Sequence, residues 1–496
     1  MGAFLVAQAL IVLVIAAGVL TGGGNTRVLY VYLLFTLCST ALIGLDGWNG
    51  RHALPAAFLG VYFVYFGAEP LAALFTVRRA TTPEALGATA GVVLAGAALA
   101  IGGYRLALRA FARAPDARRP KDWRLGSIVS VGLLLWLLGT YATYVWYFHV
   151  VTDTTIEATR TGLARLGELR ITALILAQMG QPLGALLLIY AWRVRRGWLL
   201  AGLIVLLLVL QVVLGFVIDI KGTALLAGAL VIASILLIDG RIPFGWLAGA
   251  AIFVHLSFPV FQAYREFVHG DLGLARTTVL QNLGQVFDLA LANERRTMQG
   301  PDRAQSFFER LSLLGSVHMV VSRTGDDVPY EHGYTLLPLI SAFVPRLIWP
   351  DKPDVQAGQV VNQAFHVSPV ASTYISPSHL GELYWNFGWP GVLIGMPLIG
   401  ALFGIVGARF NLREGRSVTR LLVTVVTLHY VVQGFEGTIA VSYVVWMRSL
   451  AAIGLLHLLF ARTPSARRVK PSGNAVGAVE TVARPVAVRP FPNLLR

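Results

Sequence analysis

The sequence predicts an all-α polytopic integral membrane protein of about twelve transmembrane helices, with a large extracytoplasmic helical loop. Three observations predict it. Of the 496 residues, 56% are apolar and only 13% are charged, more apolar surface than a soluble chain of this size can hide. Apolar windows of about 17–25 residues recur along the chain, each long enough to cross a bilayer core as a helix. Arginine and lysine gather in alternate connections, which is the mark of a multi-pass chain with one basic face.

The windows fall near 3–22, 28–46, 53–76, 86–110, 127–149, 171–191, 197–217, 223–238, 243–262, 386–408, 421–435 and 438–460. Glu436 and Arg448 interrupt the last two. Backbone polar groups in lipid must be satisfied within the segment itself, so the spans are helices rather than open strands. The first window has no basic residue before it and no small-residue cleavage site after it. It reads as a first span and not as a removed signal peptide. Cys38 is the only cysteine and lies inside an apolar run, which excludes an internal disulfide and a cysteine metal site.

Orientation follows from the short loops. "RAFARAPDARRPKDWR" (109–124), "RVRR" (193–196), "RFNLREGRSVTR" (409–420) and the tail from Arg462 share one side if the spans alternate. That side is expected to be cytoplasmic, with both termini inside; Arg78 and Arg79 fall on the other. The expected organisation is about nine spans over 1–262, an extracytoplasmic cap over 263–385, about three spans over 386–460, and a disordered basic tail over 461–496. The cap holds nine Lys/Arg and twelve Asp/Glu, a balance of −3, so with a net charge of +15 the rest of the chain carries +18. The excess is a topology signal with attraction to anionic lipid as a by-product, and nucleic acid is not needed to explain it. No repeat period stands out, which weakens an inverted-repeat transporter reading.

At 123 residues, 263–385 far exceeds an ordinary connection. "SFFERLSLLGSVHMVVSR" (306–323) and "YTLLPLISAFVPRLIW" (334–349) have the apolar periodicity of helices that pack on a bundle's outer face or lie at the headgroup level. Arg346 and Lys352 follow in "FVPRLIWPDKPD" (343–354), where three prolines stiffen the turn. A pre-ordered cationic pair at membrane level suits a lipid-borne phosphate. The alternative is that Trp349 anchors the interface and the charges snorkel.

"EHGYTLLPLISAFVPRLIWPDKPDVQAGQ" and "SPSHLGELYWNFGWPGVLIG" together resemble the bacterial oligosaccharide repeat-unit polymerases, the O-antigen-type enzymes that extend surface polysaccharides. The similar features are a Gly-Tyr-Thr segment, then Pro-Arg-x-x-Trp-Pro-x-Lys-Pro, a Ser-x-x-Gly-Glu helix, and Asn-x-Gly-x-x-Gly opening the next span. The resemblance covers about 330–400; elsewhere it rests on span number and loop placement. It implies a GT-C-like polymerase or ligase architecture in the bacterial inner membrane. It also implies transfer of an undecaprenyl-diphosphate-linked glycan to a sugar hydroxyl of another lipid-linked unit at the outer face. Partners on this reading are that lipid-linked oligosaccharide, membrane lipids, and flippase and chain-length regulator proteins. No cofactor is expected.

Such a reaction needs a fixed cation where the diphosphate leaves, because that interaction strengthens in the transition state. Arginine grips phosphate oxygens bidentately and keeps its charge. Arg346 is therefore the first candidate, with Lys352, Arg323 and Arg265 as helpers. Lys221, in "DIKGTALL", stands where the resemblance places a basic residue, or else pairs with Asp219. The acceptor hydroxyl must lose a proton. His379 and Glu382 share one helix face: Glu382 acts as base with His379 orienting it or binding sugar, or Glu382 simply caps or pairs with a loop arginine. His332 and Tyr330 suit carbohydrate. One His-x-x-Glu supplies too few ligands for a catalytic zinc, and no Asp-x-Asp pair suggests magnesium, so transfer is expected to be metal-independent.

Glu69 and His429 read as satisfied interior polar groups, and Glu436 and Arg448 either pair across helices or line a lipid entrance. The 51 glycines point to close helix packing. "TGGGN" (21–25) lacks the strand and lysine of a phosphate cradle. Two other functions remain open: an O-antigen ligase with the same donor, and a flippase or exporter of the same glycans. An exporter should line a path with charges down to the cytoplasmic side, whereas the polar residues here concentrate externally.

Overall fold

A computed structural model describes residues 25–44, 53–73, 86–111, 122–145, 179–195, 197–217, 312–344, 357–368, 375–410 and 417–462, with a few isolated positions between. The chain is an all-α membrane protein. Its long helices are α1 (Asn25–Gly44), α2 (Ala53–Ala72), α3 (Gly87–Phe111), α4 (Leu125–Val145), α5 (Gly180–Arg195) and α6 (Trp198–Val217). Three shorter helices follow: α7 (Leu314–Arg323), α8 (Pro338–Ser341) and α9 (Ala357–Phe365). The C-terminal set is α10 (Ser378–Arg409), α11 (Val418–Glu436) and α12 (Ile439–Phe460). Six helices among the described residues are long and apolar enough to span a membrane. Their outer faces carry exposed Leu134, Leu137, Leu206, Val209, Leu398 and Leu458, which only lipid accommodates at this density. The windows expected near 3–22, 223–238 and 243–262 lie outside the described residues.

Small residues set the two closest helix pairs. α3 and the second half of α10 run parallel, with Gly96, Ala100 and Tyr104 level with Met396, Gly400 and Gly404. A Cβ on Gly400 would collide with the Ala100 carbonyl oxygen, and one on Gly404 would lie 2.5 Å from that of Tyr104. α4 and α5 pack antiparallel in the same manner: Gly139 faces the Gln181 backbone, and Gly184 faces the backbone of Gly132 and Trp136. Between apolar helices in lipid, such close approach supplies the packing that drives association.

Prolines inside helices free carbonyls, and that of Phe66 finds a new donor. Pro70 has no N–H for the Phe66 carbonyl, so the Tyr30 hydroxyl from α1 donates to it at 2.9 Å. Next to this join, Phe58, Tyr62 and Phe66 stack around Phe435 of α11 at centroid distances of 5.2–6.3 Å. α11 and α12 run antiparallel, tied by Trp446 Nε1 donating to Thr427 Oγ1 and by Thr419 with His457.

The basic segments meet at one end of this bundle. Asp122 and Trp123 pair with Ala461 and Arg462 as a two-residue antiparallel ladder, β1 with β2. Trp123 donates to Thr419, and Arg409 stacks over Phe111 at 5.7 Å. The antiparallel α4–α5 pair brings Arg193 and Arg195 to the same end.

α10 is two helices. Gly388 has φ +62° and ψ −144°, a conformation that only glycine adopts cheaply. Residues 378–387 form a short arm and 389–409 a long one. The arms fold back on each other: Gly391 meets the Leu383 carbonyl and Gly395 the Leu383 side chain. In a straight helix, 383 and 395 would stand about 18 Å apart. The short arm is wedged between α3, α7, α11 and α12, with Leu380 against Gly96, and Val317 and Val320 of α7 over Gly381.

The extended helix expected at 334–349 is not formed. Pro338 cannot continue a preceding helix, and the chain makes a 3-10 turn (Tyr334–Leu336) and then the four-residue α8. This strap runs beside α12, where Arg448, well inside that helix, bonds the Ala342 carbonyl. The boundary expected at 385/386 falls inside the short arm of α10.

Candidate functional site

Two stretches, 329–335 and 378–391, meet in one buried node. The break at Gly388 and the missing N–H of Pro390 leave the Trp385 and Asn386 carbonyls without helical partners. The backbone N–H groups of Glu331 and His332 satisfy them, each at 3.1 Å. His332 takes φ +49° to do so, and Gly333 takes φ +92°. The Asn386 side chain then ties three elements together. Its Oδ1 accepts from Gly333 N–H at 2.8 Å, and its Nδ2 donates to Thr335 Oγ1 and to the Glu382 carbonyl at 2.7 Å. Trp385 Nε1 donates to the Pro329 carbonyl, and the Tyr330 ring lies over Gly388.

Glu382 is completely buried, and its Oε2 accepts the backbone N–H of Ile439 at 2.6 Å. Its carboxyl thus meets the N-terminus of α12, where free N–H groups and the helix dipole favour negative charge. This contact is a cap, one of the roles expected for Glu382, with a backbone amide in place of a loop arginine. Oε1 has no partner. One turn earlier, His379 is held between Phe435 and Tyr443, at centroid distances of 5.7 and 5.4 Å. Its ring rests on Gly434, where a Cβ would lie 2.7 Å from Nε2. Among the described residues neither ring nitrogen has a hydrogen-bond partner, nor do the Tyr443 hydroxyl and Thr438 Oγ1. His379 and Glu382 do share a face, which looks onto the α11–α12 connection, and no hydrogen bond joins them.

The other candidates are distributed as follows. Tyr330 is half-buried and His332 exposed, with ring centroids 6.3 Å apart, at the rim of the node. Beside them, partial burial raises the Glu331 carboxyl above its ordinary pKa, opposed in part by His332. Arg323 ends α7 with its guanidinium donating to the Phe365 carbonyl at 2.8 Å, 3.6 Å from Asp327 and over the Phe365 ring. Phe365 in turn packs on Trp385. Arg346, Lys352, Arg265 and Lys221 lie outside the described residues, as does the Glu436 side chain. Among the described residues no three His, Cys, Asp or Glu side chains converge as metal ligands. Glu69 is buried and has a partner, as does His429, which lines a small apolar cavity with Met179, Leu186, Tyr430 and Ser449.

Sequence reasoning missed Thr335 and Asn386 as members of the site, although both stand in the quoted motifs. The available signal was the spacing of His379, Glu382 and Asn386 at i, i+3 and i+7, a polar stripe on a helix that then stops at Gly388-Trp-Pro. No family model, curated protein or solved structure matches the chain.

Proposed function

We propose that the protein is a polymerase of polyisoprenyl-diphosphate-linked oligosaccharide repeat units, built as a GT-C-like bundle of about twelve spans in the bacterial inner membrane, with both termini cytoplasmic. One observation carries the reading. The motif segments behind the resemblance lie some fifty positions apart, yet Gly333, Thr335, Glu382 and Asn386 form one hydrogen-bonded node. That node sits at the N-terminus of α12, the end of the bundle away from the basic segments. A buried polar node at a helix break is costly unless fully connected, and irregular backbone at membrane depth persists only inside protein or along a polar cavity.

In the proposed reaction an acceptor hydroxyl oxygen bonds to the donor sugar's anomeric carbon. The bond from that carbon to the diphosphate oxygen breaks, and the diphosphate departs with the electron pair. Arg346 meets the departing charge. The hydroxyl proton passes to Glu382 Oε1, while the Ile439 N–H holds the other oxygen in place.

The test is turnover by purified protein in lipid nanodiscs with a synthetic lipid-diphosphate repeat unit. A ladder of longer glycans with release of polyisoprenyl diphosphate is expected, and Arg346→Ala abolishes it without unfolding the protein. Transfer only to a lipid A–core acceptor selects the ligase, and vesicle transport without new glycosidic bonds selects the exporter. Glu382→Gln separates base from cap, since the amide oxygen still accepts from Ile439 N–H. Loss of turnover with an unchanged melting temperature assigns the base; retained turnover assigns a cap alone.

A further inference from the structure

Arg448 stands nine residues past the start of α12 and twelve before its end. At 1.5 Å per residue it is about 13 Å from one terminus and about 18 Å from the other, too deep for its stem to reach water at either. Val441 and Leu455, seven residues to each side and on the same helical face, are 51% and 58% exposed, so this face looks out of the bundle toward lipid. The strap alongside it is similarly turned outward, with Ile340 71% and Phe343 51% exposed. Nη2 donates to the Ala342 carbonyl at 2.9 Å, and no carboxylate among the described residues lies within ion-pair reach. A carbonyl satisfies one donor of the guanidinium, and among the described residues nothing offsets its charge. A charge of this kind inside a span is costly without an anion.

We infer that Arg448 and the strap 338–344 form a binding site for a phosphate carried on a lipid, entered sideways from the bilayer. Among the described residues the planar fork has no bond beyond that to Ala342, and such a fork matches phosphate oxygens bidentately. Val441, Leu455, Ile340 and Phe343 offer apolar surface to the chain that brings the phosphate. The site does not depend on the polymerase reading. If the bound lipid is a polyisoprenyl diphosphate, it is the donor of that reading; if a phospholipid, it is a structural lipid.

The test is equilibrium binding to the purified full chain in detergent, with geranylgeranyl diphosphate, phosphatidylglycerol and phosphate-free geranylgeraniol as probes. Wild type is expected to hold at least one of the phosphate-bearing lipids more tightly than the alcohol. Arg448→Gln, which keeps a donor for Ala342, lowers that affinity about tenfold or more, Arg448→Lys lowers it less, and Arg105→Gln leaves it unchanged. Loss for the diphosphate alone or for phosphatidylglycerol alone identifies the lipid, and both results support the site. Equal binding by Arg448→Gln and wild type overturns it, because a latch on Ala342 is then the whole role of the arginine. Equal binding of alcohol and phosphate lipids overturns it as well. If Arg448→Gln melts below the working temperature, the comparison rests on Arg448→Lys, whose unchanged affinity counts against the site. The readout is independent of turnover, so an inactive protein that binds the probe leaves this inference standing and removes only the enzymatic one.

Discussion

Replacing Asn386 by leucine keeps the side chain's approximate volume and removes all three of its hydrogen bonds. The Gly333 N–H, bonded at 2.8 Å, is left without an acceptor, and Thr335 loses its donor at 2.7 Å. The Glu382 carbonyl suffers less, because a helical N–H also reaches it. A buried donor left unsatisfied costs about 1–3 kcal/mol, and a lost neutral bond about 0.5–1.5 kcal/mol. The summed effect on the closed node is roughly 1.5–4.5 kcal/mol. The segment 329–336 holds to the short arm of α10 through this node, so the cost should appear as local opening. At the lower limit, the amides of Glu331, His332 and Gly333 exchange hydrogen about tenfold faster in Asn386→Leu. Amides in the middle of α4 should be unaffected. Unchanged exchange at 331–333 would show that Asn386 does not hold the two stretches together, and the account of the site would fail with it.

Three further outcomes follow from the packing. Gly400→Ala is expected to lower the melting temperature in detergent through a cost of about 1–3 kcal/mol, since the Ala100 carbonyl occupies the space the methyl needs. Gly102→Ala, which meets nothing within 4 Å, should be neutral or slightly stabilising. Tyr30→Phe should cost about 1–3 kcal/mol because Pro70 leaves the Phe66 carbonyl dependent on that hydroxyl. In a Pro70→Ala background the same change should cost measurably less, and an equal cost would refute the coupling. His318 bonds Thr89 at 3.0 Å, and burial lowers its pKa below the ordinary imidazole value. Its neutral form is favoured by folding. Its contribution is therefore complete above the unfolded pKa of about 6.5 and declines as pH falls from there toward the depressed folded value. A His318→Gln variant should lose that part of the acid sensitivity of the melting temperature.

The long helices were legible because lipid makes the pattern simple. The expected windows 86–110, 197–217 and 438–460 differ from α3, α6 and α12 by two residues or fewer at each end. The glycine-rich seams were legible in kind but not in pairing: nothing in "IGALFGIVG" says that Gly400 will face Ala100. The strap's place beside α12 agrees with the expected packing on the bundle's outer face, but its apolar periodicity looks the same whether the apolar face meets protein, headgroups or lipid. Pro338 was the residue that spoke against one continuous helix. The fold-back at Gly388 was hidden by "ELYWNFGWPG", whose glycine fits either an ordinary span start or a reversal. The fates of Trp385 and Asn386 depend on a loop some fifty residues earlier, and no local pattern reports such a contact. Capping by Glu382 was among the expected roles, but the amide it caps belongs to Ile439, 57 positions on.

The strap 334–344 also carries a consequence for how the chain is made. Thr335 waits for Asn386, and Ala342 bonds to an arginine synthesised 106 residues later. While the ribosome is still producing α10, this broken, carbonyl-rich backbone has no partner at the depth it finally occupies, and hydrocarbon would not accept it there. It must stay at the water boundary until α12 has crossed and then sink into place. Nascent chains arrested before Arg448 should accordingly leave residues 338–344 open to water-borne labels that the finished protein excludes.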